Sequence, residues 1–185
     1  GVAPLRAHTY YEPFDYQAGI PPRVVTVPFE QDLANMVSDI QAAKAGADAV
    51  VLSLHWGIHF IPKLIADYQP IAAKAAFAAG ADVILGHHAH APKAIGMHGG
   101  KVCFYSLSNF CMTKPFANPV WSESPWKHGA LRNHADQNPD MPLLPYGRDA
   151  RRSLLAKAIF TKQGVKRVSF LPMLIDQLYR PEVLK

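Results

Sequence analysis

Hydrophobic residues recur at helical spacing in some segments of the chain and form short continuous runs in others. Helical spacing is clearest for Leu33, Met36, Val37 and Ile40. It predicts an amphipathic helix from about residue 30 to residue 45, with Gly46 as its terminator. A second, Ala-rich helix is predicted from Asp67 to Ala79, and Gly80 follows it.

Each predicted helix is followed by a short apolar run without alternation, at residues 48–54 and 81–85. Such runs are typical of strands that are covered on both faces, as in α/β sheets. The repeated helix–strand order therefore predicts an α/β fold. His55 follows the first run, and Gly86 and His87 close the second. Ligands of such sheets bind beyond the carboxyl ends of the strands, so both histidine groups are expected at the usual place for chemistry.

The other segments complete the predicted order of elements. Residues 1–22 are expected to be irregular, and residues 23–27 are expected to form a strand that Pro28 stops. Residues 101–107 are expected to form a third strand, which pairs with 94–98 across a Gly-Gly turn. A long Pro- and Trp-rich loop is expected at 111–152, and 154–161 and 165–171 are expected to form the arms of a β-hairpin. We interpret residues 1–185 as one domain, with core helix–strand units in 23–110, the loop in 111–152 and the hairpin in 153–175.

Composition and charge exclude a few classes of protein. Hydrophobic residues make up 49% of the chain, which excludes general disorder. No apolar run reaches the ~18 residues of a membrane-spanning helix. The net charge of +5 suits plain solubility or a preference for anionic partners. No recognisable module predicts nucleic-acid binding. The two cysteines make no disulfide framework and no zinc module, and Cys103 is expected in the core.

The histidines near the predicted strand ends are candidate metal ligands. Imidazole is a neutral nitrogen ligand suited to zinc, manganese and iron. His88 and His90 have the i, i+2 spacing that lets both reach one metal centre or two adjacent ones, and His55 could complete the set. A lone histidine after a strand is more often structural, so the prediction depends on the cluster. Asp48 and Asp82 precede their strands and are expected to be turn residues, not ligands.

Three motifs, in order, carry a resemblance to a known family. Residues 52–57 (LSLHWG), 80–90 (GADVILGHHAH) and 104–110 (FYSLSNF) resemble the CapA family of capsule and poly-γ-glutamate biosynthesis proteins, which is related to calcineurin-like metallophosphoesterases. The resemblance runs from about Val24 to Phe110 and more weakly through the last hairpin. It implies the C-terminal part of a metallophosphatase-like αββα sandwich. It also implies a pair of divalent metal ions (Mn, Fe or Zn) held by Asp, Asn or Glu and His residues.

The resemblance implies roles for individual histidines. His55 matches the histidine of the family's SHWG motif, and His88 and His90 match the paired histidines of the phosphoesterase GHxH motif, so these are the expected metal ligands. His87 is either a further ligand or a residue that supports one. His87 or His90 is expected to protonate the leaving group. His59 stands where many relatives carry Glu, and it is an added ligand, a substrate contact or a surface residue.

Some features of the family are absent or changed. The earlier acidic and Asn-His metal motifs do not precede His55, and Ser108 replaces the more usual Gly of the third motif. The chain also does not begin with Met, and residues 1–11 lack the features of a signal peptide. We therefore expect an excised or processed piece of a larger protein, with an incomplete metal site unless another chain supplies the remaining ligands.

Two function classes stay open at this stage. The first is metal-dependent hydrolysis of a phosphoester or related anionic substrate. The second is a non-catalytic accessory role in binding an anionic polymer such as poly-γ-glutamate, together with other cell-envelope biosynthesis proteins. Homo-oligomerisation through an open sheet edge is a further expectation, and the family implies the bacterial cell envelope as the location. Candidate anion contacts, each alone more typical of a solvated surface, are Lys63, Lys93, Arg148, Arg151 and Arg152.

Overall fold

The computed structural model describes residues 2–12, 23–59, 61, 63–111 and 148–184. The elements in chain order are β1 (Ala7–Glu12), β2 (Arg23–Pro28), α1 (Glu30–Ala45), β3 (Val51–His55), α2 (Tyr68–Ala79), β4 (Val83–His87), β5 (Ile95–His98), β6 (Lys101–Phe104), a short 3₁₀ helix (Arg148–Arg151), β7 (Arg152–Thr161), β8 (Gly164–Ile175) and β9 (Pro181–Val183). Within the described ranges the strands form three sheets.

The largest of these sheets carries the helix–strand units. Its strand order is β3-β4-β6-β5. Strands β3, β4 and β6 run parallel, and β5 returns antiparallel to β6 across the glycine turn, as the sequence predicts. The register of β3 and β4 sets His55 opposite His87. The architecture is therefore mixed α/β, and it is consistent with part of an α/β metallophosphatase-like fold.

Both predicted helices are present, with the predicted ends. Helix α1 buries Met36 and Ile40 and is closed by Gly46. Helix α2 begins after Asp67 and ends at Gly80, whose φ of +120° is a conformation that favours glycine. Small side chains let α2 lie close to the sheet, since Ala72 and its neighbours on that face are fully buried. The helix–strand connections therefore follow from short-range sequence signals.

The core lies between these helices and the large sheet. Trp56 is 3% exposed and stacks on Tyr105 with ring centroids 5.7 Å apart. Its indole Nε1 donates a hydrogen bond of 3.1 Å to the carbonyl oxygen of Tyr105. Trp56 thus joins the segment after β3 to the segment after β6, and it is a core residue, as expected. Cys103 is also fully buried, as predicted.

The prediction that residues 1–22 are irregular is wrong for part of that segment. Residues 7–12 form β1, which pairs antiparallel with β2 from Ala7↔Pro28 to Glu12↔Arg23. Thr and Tyr side chains favour extended backbone, but the strand is stabilised mainly by a partner that lies outside the local sequence window. Arg6 then links this strand to α1, because its guanidinium donates to the buried carboxylate of Asp32 at 2.8 Å.

The prediction that β3 is covered on both faces is also wrong. Within the described part of the chain, Val51, Ser53 and His55 on one face of β3 are exposed, whereas Leu54 on the other face is buried. Val51 is 48% exposed, and Val83, its partner in β4, is 1% exposed. β3 also has a neighbouring strand on one side only among these residues. A continuous apolar run therefore marks a strand of this sheet correctly but does not distinguish the central strand from one at the edge.

The C-terminal hairpin is present as predicted. Strands β7 and β8 pair antiparallel from Arg152↔Leu174 to Thr161↔Gly164, and β9 adds an unpredicted third strand. The hairpin is tied to the large sheet at Leu107, whose carbonyl oxygen accepts hydrogen bonds from the amide of Leu154 and the hydroxyl of Ser153, each at 3.1 Å.

The predicted long loop at 111–152 is described only at its ends. Residues 112–147 lie outside the described residues. The C-terminal end differs from the prediction, because residues 148–151 form a 3₁₀ helix with Ala150 fully buried. Among the described residues, no helix is long and apolar enough to cross a membrane.

Candidate functional site

Histidines from two parallel strands meet at the carboxyl end of the large sheet. The Nε2 atom of His55 lies 2.9 Å from the Nδ1 atom of His88. His55 is the last residue of β3, and His88 comes directly after β4. The structure therefore brings together the two imidazoles that the sequence places on successive helix–strand units.

His59 belongs to the same cluster. Its ring stacks on that of His88 with centroids 3.5 Å apart and planes 21° apart, and the ring of His90 lies 5.6 Å away. The sequence left three roles open for this residue. The structure places its exposed ring against the candidate ligand His88, so it is not an isolated surface histidine.

Asn109 fixes the orientation of His90. The side-chain Nδ2 of Asn109 donates to the carbonyl oxygen of Ala150 at 3.0 Å, and its Oδ1 lies 2.6 Å from Nδ1 of His90. An amide oxygen can only accept a hydrogen bond, so Nδ1 of His90 is the donor in this arrangement. The ring lone pair is then on Nε2, which is the atom that His90 offers to a metal ion or a substrate proton.

The loop that carries the histidines has an unusual backbone. The φ angles of His88 and His90 are 91° and 52°, and that of Ser108 on the neighbouring segment is 70°. Residues other than glycine seldom adopt positive φ, and they do so mainly where the surrounding structure holds them and function requires it. This conformation turns the chain away from the strand direction, and His88 then reaches His55.

Gly86 makes the close packing beneath the cluster possible. A Cβ atom at this position would lie 2.6 Å from both the carbonyl oxygen of Phe104 and Nε1 of Trp56, and closer still to the carbonyl oxygen of Tyr105. The backbone carbonyl of Gly86 also accepts a hydrogen bond of 2.9 Å from the amide of Leu107. Glycine is therefore required by a close approach of two segments, and it is not needed for a positive φ.

Four histidines at this end of the sheet have pKa values below the ordinary value of 6.5: His59, His87, His88 and His90. Burial, with smaller contributions from the neighbouring imidazoles, lowers the pKa of His88 to about 4. Burial also lowers the pKa values of His59 and His87. For His90, burial lowers the pKa and the hydrogen bond with Asn109 partly opposes that shift. Neutral imidazoles have the lone pair that metal coordination and proton acceptance need.

His87 is the last residue of β4 and directly precedes His88. It is opposite His55 in the β3–β4 register and is half-buried. Within the described part of the chain, no hydrogen bond joins its ring to another histidine of the cluster. Its catalytic role stays a prediction, as does that of His90.

The carboxylates lie at the opposite end of the sheet, as expected. The side chain of Asp82 accepts hydrogen bonds from Nζ of Lys44 at 2.9 Å and from the amide of Val50 at 2.8 Å. Burial raises its pKa, but these two partners outweigh that effect and the net shift is downward. The Asp48 segment is held at the same end, through a hydrogen bond of 2.9 Å from Lys44 Nζ to the Asp48 carbonyl oxygen.

The imidazole nitrogens of the cluster are suitable ligands for a divalent metal ion, but the number of ligands that converge in the described part of the chain is too small for a complete site. Two nitrogen ligands about 2.1 Å from one ion at a right angle lie about 3 Å apart, close to the 2.9 Å between His55 Nε2 and His88 Nδ1. However, no group of three His, Cys, Asp or Glu side chains in the described ranges could hold a metal ion. The ligand roles of His55, His88 and His90 therefore stay predictions.

Several candidate anion contacts have structural partners. Nζ of Lys93 donates to the carbonyl oxygens of Ile61 and Leu64, the latter at 2.8 Å, and its side chain is buried. The Nε atom of Arg151 donates to the carbonyl oxygen of Ile175 at 3.1 Å, and Arg152 pairs with Asp149 at 2.7 Å. Lys93 still lines a surface pocket, together with Lys63 and Arg152.

The role of Asn109 was not predicted. It stands in the third sequence motif, two residues after the end of the strand predicted at 101–107. The signal was available, since a polar residue after a third parallel strand should reach the same sheet edge as the histidines. Its contact with Ala150 was not available, because it depends on a residue 41 positions away.

The fold and the cluster together define a mixed α/β protein with imidazoles gathered at the carboxyl ends of parallel strands. The model of the family described as "Bacterial capsule synthesis protein PGA_cap" matches residues 5–114. This match spans more than half of the chain and includes all the histidines of the cluster. The chain therefore belongs to this family of bacterial capsule synthesis proteins, the CapA family that its motifs resemble.

Two curated relatives are similar to part of the chain. "PGA biosynthesis protein CapA" of Bacillus subtilis (strain 168) is 45% identical over 73 residues, which are 38% of this chain and 18% of that protein. "Capsule biosynthesis protein CapA" of Bacillus anthracis is 42% identical over 67 residues, which are 36% of this chain and 16% of that protein. The similar segments thus span less than a fifth of these relatives.

Proposed function

We propose that this chain belongs to a protein of capsule or poly-γ-glutamate biosynthesis that hydrolyses a phosphoester or a related anionic substrate with the help of divalent metal ions. The observation that carries the proposal is the 2.9 Å approach of His55 Nε2 and His88 Nδ1 from two separate strands. Two imidazoles at that separation can be neighbouring ligands of one ion. The names of the two CapA relatives support the pathway.

In this proposal His55, His88 and His90 hold the metal ions, which are Mn, Fe or Zn, and the rest of the complete protein supplies the oxygen ligands. When bound, the ions supply Lewis acidity toward a phosphoryl oxygen and a nucleophile from water near neutral pH. His59 stacks on His88 and limits the movement of its ring. Asn109, itself held by the carbonyl oxygen of Ala150, orients the ring of His90 through Nδ1.

Proton transfer to the leaving group is assigned to His87 or His90. His87 is half-buried, is the register partner of His55, and has a pKa that burial lowers. In the proposed step its neutral imidazole takes the proton that the attacking water releases and passes it to the leaving-group oxygen. His90 is the alternative to His87, because its Nε2 can either bind a metal ion or carry the proton, but not both. A positioned group of this kind typically contributes a factor of about 10² to 10⁴ to the rate.

A second candidate function is a non-catalytic one. In this proposal the protein binds an anionic polymer such as poly-γ-glutamate during its synthesis or export, in contact with other cell-envelope proteins. The net positive charge of the chain agrees with an anionic partner.

The test is hydrolysis of an aryl phosphate by the full-length protein, with Mn²⁺, Fe²⁺ or Zn²⁺ added in turn. We expect metal-dependent turnover that His88→Ala lowers by at least 10³-fold. The matched control is His98→Gln, because His98 ends β5 at the opposite end of the sheet and contacts the hydroxyl of Tyr105 at 3.0 Å. Polymer binding that weakens with salt, without turnover under any metal, would favour the second function.

Within the described residues β3 has a neighbouring strand on one side only, and this edge leads to one more proposal, that of self-association. A strand without a neighbour can pair with another copy of the chain or with a further strand of the same protein. Light scattering of the full-length protein at high concentration checks this. A dimer supports pairing between copies, and a monomer at every concentration contradicts it.

A further inference from the structure

A pocket of about 380 Å³ lies between the segment after β4 and the 3₁₀ helix. Its lining residues are Lys63, Pro92, Lys93, Ala94, Asp149 and Arg152. The volume falls within the range of about 300–1,000 Å³ that is usual for small-molecule sites. Cations outnumber carboxylates among these residues by three to one, so the pocket has an excess of positive charge.

Asp149 neutralises one of these cations. Its Oδ1 atom pairs with Nη1 of Arg152 at 2.7 Å. Neither Lys63 nor Lys93 has a carboxylate partner within the described ranges. Lys63 is exposed and extends its charge into solvent, whereas Lys93 is only 7% exposed.

The burial of Lys93 is the more informative observation. Its ammonium group donates to the carbonyl oxygens of Ile61 and Leu64, so its hydrogen bonds are largely satisfied. Its charge is nevertheless not compensated by an anion of the described chain. Buried charges are normally paired, because carbonyl dipoles recover only part of the lost hydration energy. An anion in the pocket that Lys93 lines would offset this cost.

The pocket adjoins the histidine cluster through two connections. Pro92 is two residues after His90, which keeps their Cα atoms within about 7 Å of each other. On the other side, Asp149 directly precedes Ala150 and Arg152 follows it by two residues. The carbonyl oxygen of Ala150 accepts the hydrogen bond from Asn109. One extended ligand can therefore place a group at the histidines and another in the pocket.

We infer that this pocket binds a carboxylate or phosphate group of the same anionic ligand whose neighbouring group lies at the histidine cluster. The inference rests on the proposed function only for the statement that the ligand is anionic and extended. It applies equally to a hydrolase and to a polymer-binding protein, since in both the pocket holds a charged unit next to the one at the histidines. The exposed side chains of Lys63 and Arg152 can move to contact the anion, whereas the position of the Lys93 ammonium is held by the carbonyl oxygens of Ile61 and Leu64.

The experiment is isothermal titration of the full-length protein with two probes, inorganic phosphate and a short oligomer of γ-linked glutamate. The variant is the double substitution Lys63→Gln and Arg152→Gln, which removes two positive charges from exposed positions. We expect it to weaken binding of at least one probe by tenfold or more. The probe that is affected distinguishes a phosphate ligand from a polycarboxylate ligand.

The matched control is the double substitution Lys166→Gln and Arg167→Gln on β8. It removes the same charge from exposed positions, and Arg167 pairs with Ile159, seven residues along β7 from Arg152, or about 23 Å. Binding within twofold of wild type is expected for this control. Equal weakening in both double variants would show a nonspecific charge effect and overturn the inference. A wild type that binds neither phosphate nor the oligomer would also overturn it.

Titration in a His88→Ala background separates this inference from the proposed function. We expect the oligomer or phosphate to bind in that background and to lose affinity again on addition of Lys63→Gln and Arg152→Gln. Turnover that disappears in His88→Ala while this second loss remains supports both proposals. Loss of all probe binding in His88→Ala alone would place the anion at the histidines and overturn the pocket assignment.

Discussion

The two ends of the large sheet use charged and titratable side chains in opposite ways. At the amino ends of the parallel strands, Asp82 accepts hydrogen bonds from Lys44 and from a backbone amide, and Lys101 donates to the carbonyl oxygen of Ala81 at 2.6 Å. At the carboxyl ends, imidazoles lie against one another, with His55 Nε2 and His88 Nδ1 2.9 Å apart. One end is an ion-paired junction, and the other is a cluster without a described counter-ion for His55 or His88.

This difference shows how the same helix–strand unit can serve stability at one end and chemistry at the other. At the amino end positive φ falls on glycines, Gly80, Gly99 and Gly100, and the charges there have partners. The carboxyl end has positive φ at His88 and His90, which is unfavourable for these residues and persists only when the surroundings hold it. Substitutions at the amino end should therefore change stability alone, and substitutions at the carboxyl end should change ligand binding as well.

The largest effect is expected from Gly86→Ala, at the base of the histidine cluster. The added methyl group would overlap backbone oxygen atoms of Tyr105 and Phe104 as well as the indole of Trp56. We expect a loss of about 3 kcal/mol in the free energy of unfolding, or failure to fold, as measured by urea denaturation of the full-length protein. Gly46→Ala is the control, since its Cβ would meet no atom nearer than 4.0 Å. Equal stability of the two variants would contradict the close packing.

A smaller effect is expected from Asp82→Ala at the amino end. The change leaves the amide of Val50 and the ammonium of Lys44 without this acceptor. The expected cost is about 2 kcal/mol of unfolding free energy. Metal content and any turnover per folded molecule should not change. A loss of metal in Asp82→Ala at full folding would contradict the separation between the two ends.

Asn109→Ala at the carboxyl end should weaken metal binding more than it lowers stability. Without the amide oxygen, Nδ1 of His90 loses the contact that orients its ring. Loss of such a supporting hydrogen bond typically weakens metal binding by about 10–100-fold, and we expect the lower part of that range, with a smaller change in stability. Metal titration checks this. Asn109→Asp, which keeps an acceptor, should restore most of the affinity if orientation is the role of Asn109.

The smallest effect is a pH dependence of the metal-free protein. The pKa of His88 is about 4 in the fold against an ordinary value of 6.5, so the unfolded chain binds more protons between these two pH values. The free energy of unfolding should therefore decrease as the pH falls through this window. Urea denaturation of the metal-free protein measures it. In His88→Gln the decrease should be shallower, and an identical slope would contradict the contribution of His88.

Local signals in the sequence were sufficient for the elements that form the site. Helical spacing and glycine terminators predicted α1 and α2, and two apolar runs followed by histidines predicted which residues would meet at the sheet edge. His55 and His88 are adjacent because parallel strands in register end at the same edge, which is a general property of such sheets.

The features that were missed depend on distant partners. Strand β1 requires pairing with β2, the exposure of β3 depends on the order of strands in the sheet, and the contact of Asn109 with Ala150 crosses from the large sheet to the 3₁₀ helix. The stacking of His59 on His88 depends on the path of the chain after β3. None of these can be read from a short sequence window, because each is decided by tertiary packing.

The most direct test of the central claim is the metal content of the purified full-length protein, measured by mass spectrometry after loading with Mn²⁺ or Zn²⁺ and removal of excess ions. The account predicts stoichiometric metal in the wild type and in His98→Gln, and loss of at least one ion per chain in His55→Ala and in His88→Ala. Stoichiometric metal that survives both alanine substitutions, or a wild type that retains no metal, would contradict it.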